Sequence, residues 1–137
     1  MPHILLVEDL TSEREMISAA LEQRGAQVTA VADDEQAYTA LREAASRTFD
    51  ALVTDINLGH GTTGFDVARA ARAIQPGLAV IYMTAFEMET AAHAVEDSLT
   101  LRKPLKVSDL AEHILGHLDA ETLARGWDGG SQQASAG

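Results

Sequence analysis

Apolar residues fall along this chain in short blocks of two kinds, continuous runs and stripes at helical spacing. Residues 4–7 are a continuous apolar run closed by Glu8 and Asp9, the length of a buried strand. Ser12-x-x-Glu15 is a capping-box signal, and behind it Met16, Ile17, Ala20 and Leu21 recur as on one helix until Gly25. Residues 28–32, small and β-branched, predict a second strand. A second cap signal, Asp33-x-x-Gln36, leads into Ala37, Tyr38, Leu41 and Ala45, a second amphipathic helix. Residues 51–54 predict a third strand, which runs straight into Asp55. Residues 58–64 hold three glycines and predict a loop. A helix follows over 65–74, with Val67, Ala70, Ala71 and Ile74 inward and Pro76-Gly77 as its stop. Residues 78–83 predict a fourth strand ending before Thr84, and 86–95 a weaker, Ala-rich, acidic helix. Residues 99–101 predict a short fifth strand before Lys103-Pro104. Ser108 is expected to cap a last helix whose stripe is Leu110, Ile114, Leu115 and Leu118.

Five strands alternating with five helices predict an α/β fold, a doubly wound parallel sheet with helices on both faces and right-handed crossovers. One domain over residues 1–125 accounts for the pattern. Residues 126–137, mostly Gly, Ser, Gln and Ala, are too poor in apolar side chains to pack and are predicted to be a disordered tail. The 137-residue chain carries a net charge of -11, which repels phosphate backbones and argues against nucleic acid as a partner. It has no cysteine, so disulfides and thiolate metal sites are excluded. The apolar run at 4–7 is too short for a signal core, and no stretch approaches a membrane span. A cytoplasmic protein that does not enter membranes is expected, with monomer and dimer both open.

Polar groups mark the C-terminal ends of four of these strands: Glu8 and Asp9, Asp55, Thr84, and Lys103. In a doubly wound sheet such ends converge on one crevice. Three carboxylates gathered there repel one another, and a hard divalent cation resolves the conflict; oxygen-only ligands favour Mg²⁺. Together with a lysine they predict a phosphoryl-transfer site. The metal and Lys103 neutralise the phosphoryl oxygens, Thr84 donates a hydrogen bond, and Asp55 attacks in line. Each group taken singly has a plainer reading: a cap for Glu8, Asp9 or Asp55, a strand-end hydroxyl for Thr84, a solvated surface lysine for Lys103.

The ordered set Glu8-Asp9, Asp55, Thr84-Ala85, Lys103-Pro104 resembles the receiver domain of two-component response regulators, over roughly residues 3–120. The resemblance implies a flavodoxin-like sheet in the order 2-1-3-4-5. It implies that Asp55 is the phosphoacceptor, and that Glu8 and Asp9 organise Mg²⁺ with Asp9 the more direct ligand. Asn57 would offer its backbone carbonyl to the metal, Thr84 would be the switch hydroxyl, and Lys103 would pair with the phosphoryl group. Lys103-Pro104 stands where the family has a cis peptide. The phosphoryl group would come from a phosphohistidine of a sensor histidine kinase or a histidine phosphotransfer protein. Output would pass to an unidentified protein by contact or phosphorelay. The chain would be a switch rather than an enzyme, limited to its own phosphorylation and slow dephosphorylation. Three positions depart from the family's pattern: Thr100 replaces the usual aromatic, Gly59 stands where proline is common, and the loop to Gly64 is about a residue longer. Phe86 would flank the acyl phosphate and shield it from water.

Two rival readings use the same groups. One is a Mg²⁺-dependent phosphohydrolase with an Asp nucleophile; such enzymes place an Asp two residues later as acid/base, where this chain has Asn57, which cannot transfer the proton. The other is a receiver-like binding module that never takes phosphate. Outside this set, His113 and His117 have the i, i+4 spacing of metal ligands but no third partner, and His60 and His93 have no visible partner. Gly59-x-Gly61-x-x-Gly64 matches a dinucleotide fingerprint in form but lacks the acidic residue that should follow.

Overall fold

The computed structural model describes residues 2–43, 49–58, 63–84, 93–103 and 106–124, the side chains of the last turn apart. The elements are β1 (His3–Val7), α1 (Thr11–Gln23), β2 (Gln27–Val31), α2 (Asp34–Glu43), β3 (Ala51–Asp55), α3 (Gly64–Ile74), β4 (Ala79–Thr84), β5 (Ser98–Arg102) and α4 (Val107–Ala124). All five strands are parallel, in the order β2-β1-β3-β4-β5. The expected α/β, doubly wound sheet is what forms.

The three central strands are near-continuous apolar runs because both of their faces are covered. Successive side chains point to opposite faces, so each run feeds two cores. On one face Ile4, Leu6, Val53, Ile81 and Met83 pack against Ile17 and Leu21 of α1 and Ile114 and Leu118 of α4. On the other, Leu5, Val7, Leu52, Val80 and Tyr82 meet Ala37 and Leu41 of α2 and Val67 and Ala71 of α3. The edge strands β2 and β5 are only half-buried.

Gly25 ends α1 in the left-handed region, at φ 94°. Its N–H bonds to Glu22 O at 3.0 Å and that of Ala26 to Leu21 O at 3.1 Å, the paired bonds of a Schellman cap. The Asp33 signal caps α2 as expected, with Gln36 N–H donating to Asp33 Oδ1 at 2.8 Å. Ser12 does not cap α1. The helix begins two residues earlier than such a cap requires, at Thr11, with Leu10 at the N-cap and no side-chain cap bond. Ser108 likewise lies inside α4, which begins at Val107. Met16 and Ile74, expected inward, are exposed. The expected helix over 86–95 lies mostly outside the described residues, and 93–95, which are described, are not helical. The 126–137 tail, Ala45, Phe86, His60, Pro104 and the glycines at 59 and 61 also lie outside the described residues.

Candidate functional site

The parallel register brings the strand ends to one rim. Val7 is level with Thr54, Asp55 with Met83, and Thr84 with Arg102. The ladder continues past the ends: Lys103 N–H donates to Thr84 O at 2.6 Å and Ile56 N–H to Met83 O at 2.9 Å. The residues that leave each strand are therefore neighbours in space although they span the sequence.

Glu8, Asp9 and Asp55 each offer a carboxylate oxygen to a group whose oxygens lie within 4.8 Å of one another. Their settings differ. Glu8 is wholly buried, Asp55 is partly buried and Asp9 is exposed. Burial pushes the Glu8 carboxyl up to about 7, with the Asp55 charge adding to the rise and the Lys103 hydrogen bond opposing it. Leu10 N–H donates to Glu8 Oε2 at 3.2 Å, and Arg14 Nη1 donates to the Glu8 carbonyl at 2.8 Å.

Lys103 reaches into this group. Its Nζ donates to Asp55 Oδ2 at 3.0 Å, Glu8 Oε1 at 3.1 Å and Glu13 Oε1 at 2.8 Å. Burial works against the ammonium, yet its bonds to Glu13, Asp55 and Glu8 prevail and hold its pKa above the ordinary lysine value. Thr84 is buried at the end of β4 on the same rim.

Asp55 is fixed from behind as well as in front. Asn57 N–H donates to Asp55 Oδ1 at 3.1 Å, and Thr54 Oγ1 donates to the Asp55 carbonyl at 3.0 Å. The chain then leaves and returns through a narrow neck. Asn57 pairs with Thr63, and Gly64 N–H donates to Ile56 O at 2.8 Å. A Cβ at Gly64 would lie 2.4 Å from the Asp55 carbonyl oxygen and 3.1 Å from Ile56 Cα, so only glycine fits there. Thr63 and Asp66 form a reciprocal capping box at the start of α3. The Thr63 backbone N–H bond, with help from Arg69, holds the Asp66 carboxyl below its ordinary value.

Glu13 is the residue that sequence reasoning missed. It lies in the first turn of α1, and its partner is 90 residues away. Nothing local separates it from Glu15. His113 and His117 do not belong to the acidic group. His113 is exposed; the Nε2 of half-buried His117 has no hydrogen-bond partner, and no third metal-ligand group accompanies them among the described residues. His93, expected without a partner, packs on Phe65 with ring centres 5.5 Å apart. Thr100 sits level with Tyr82, whose ring is fully buried and whose hydroxyl accepts from Val95 N–H at 3.1 Å. Among the described residues no helix is long and apolar enough to cross a membrane.

The family model described as "Response regulator receiver domain" matches residues 4–115. The chain is 33% identical to the response regulator receiver protein CpdR of Brucella abortus over 117 residues, 83% of this chain and 94% of that protein. It is 46% identical over 70 residues to the chemotaxis protein CheY of Pseudomonas aeruginosa, a match covering 51% of this chain and 54% of the relative. Among solved structures, a response regulator receiver protein from Sinorhizobium medicae superposes with a TM-score of 0.79 at 31% identity, covering 88% of this chain and 96% of its own.

Proposed function

Because the chain belongs to the response regulator receiver family, we propose that it is a signalling switch that takes a phosphoryl group on Asp55. The donor is a phosphohistidine on a histidine kinase or a histidine phosphotransfer protein. An Asp55 carboxylate oxygen forms the new P–O bond as the P–N bond to the partner's imidazole breaks. The observation that carries this reading is the Lys103 ammonium, held 3.0 Å from Asp55 Oδ2 beside two further acids. It pairs with a phosphoryl oxygen as charge arrives. Thr84 donates its hydroxyl to another.

The acidic group fits Mg²⁺. It offers oxygen donors only, and one of them, Glu8, is buried deeply enough that its charge is costly without a cation. When bound by Glu8, Asp9, Asp55 and the Asn57 carbonyl, Mg²⁺ neutralises charge on the transferring group. Asn57, two residues past the nucleophile, has no proton to give or take, which favours a single slow turnover over hydrolysis of many substrate molecules. The receiver unit spans residues 1–125 with a tail over 126–137, works in the cytoplasm, and passes its signal by protein contact or phosphorelay.

The test is intact mass after exposure to acetyl phosphate with Mg²⁺. Wild type should gain one acid-stable, base-labile phosphoryl group and Asp55→Asn none. A wild type that gains nothing, or a variant that gains as much, refutes the reading.

A further inference from the structure

An ammonium has three N–H donors, and the Lys103 bonds to Glu8, Asp55 and Glu13 use all three. Two of these acceptors, Glu8 and Asp55, belong to the group of oxygens that could hold a cation; Glu13 does not. A divalent ion and Lys103 therefore draw on the same two carboxylates. Glu13 makes the shortest of the three contacts, at 2.8 Å, from α1, an element outside the sheet rim.

We infer that Glu13 is a positioning residue that draws the Lys103 ammonium toward α1 and so leaves Glu8 and Asp55 free to hold a divalent cation. Side-chain exposures of 0% for Glu8 and 14% for Asp55, against 39% for Glu13, set the direction. Without a charge at Glu13, the ammonium settles wholly on the two less exposed carboxylates, where attraction is stronger. An arriving cation must then displace it. With Glu13 in place, the ammonium keeps a partner of its own while the metal takes the other two. The inference rests on the proposed Mg²⁺ site, not on phosphoryl transfer.

Mg²⁺ affinity by titration calorimetry at pH 8, with no phosphodonor present, reads this directly. Glu13→Gln should weaken Mg²⁺ binding roughly threefold, the scale of a partly exposed ion pair. In the Lys103→Met background the same substitution should change nothing, because the residue acts only through the ammonium. Glu13→Asp keeps the charge but shortens the reach by a methylene, and should weaken binding as Glu13→Gln does. This arm needs no Lys103 variant. Unchanged affinity in Glu13→Gln overturns the inference. So does an equal loss with and without Lys103, which marks charge acting through space, or wild-type affinity in Glu13→Asp. Wild type that binds no Mg²⁺ overturns it too, whereas the proposed switch is decided separately by phosphoryl uptake on Asp55.

Discussion

Lowering the pH from 8 to 6 should weaken Mg²⁺ binding about tenfold, and Glu8 should be the cause. Its carboxyl is wholly buried, and burial raises its pKa to about 7 in the metal-free protein. A protonated carboxyl is a poor ligand, so the apparent Kd is multiplied by one plus ten to the power of pKa minus pH. That factor is about 11 at pH 6, about 2 at pH 7 and about 1.1 at pH 8. The missing proton must appear in solution: about 0.9 released per Mg²⁺ bound at pH 6 and about 0.1 at pH 8. Calorimetry in buffers of different ionisation enthalpy measures both quantities in one series. Glu8→Gln should bind Mg²⁺ more weakly with a flattened pH profile, since it has no proton to release. Equal affinity at pH 6 and 8 in wild type, or no proton release at pH 6, would show that Glu8 is ionised throughout and that the burial argument is wrong.

Two further outcomes concern stability. In metal-free protein the folded state holds the Glu8 proton more tightly than the unfolded chain, whose value is near 4.5. Stability should therefore fall as pH rises through the window from about 4.5 to about 7, by up to ~3 kcal/mol. Glu8→Gln should flatten that slope and be the more stable protein at pH 8 in urea melts with EDTA; a slope equal to that of wild type would count against it. Gly64→Ala should cost at least ~2 kcal/mol, because the added methyl meets the Asp55–Ile56 backbone, with no side chain able to yield. Wild-type stability in a urea melt would mean that the neck at Asp55 opens freely.

The parallel sheet with helices on both faces and the gathering of Glu8, Asp9, Asp55 and Lys103 were open to sequence reasoning for one reason, whereas the strand order followed from the family resemblance. Central strands of a parallel sheet are unbroken apolar runs, and a polar residue that ends such a run must sit at the rim. The helix faces were less legible. Ile17, Ala20 and Leu21 suffice to cover the sheet, and Met16, about 100° around the helix from Ile17, faces solvent. Ile74 is the last residue of α3 and lies exposed at the helix end. The start of α1 misled because a tertiary demand overrode a local one. Glu8 Oε2 takes the Leu10 N–H, which fixes the turn before Ser12 can act as a cap. Glu13 was invisible because its role depends on a lysine from the far end of the chain.

The neck at Gly64 also bears on what holds the nucleophile in place. Ile56 and Gly64 are clasped backbone to backbone, and Asn57 and Thr63 cross just beyond. These two backbone contacts tie the end of the nucleophile's own strand directly to the start of α3, so the place of Asp55 is set by the clasp rather than by the residues that join its two sides.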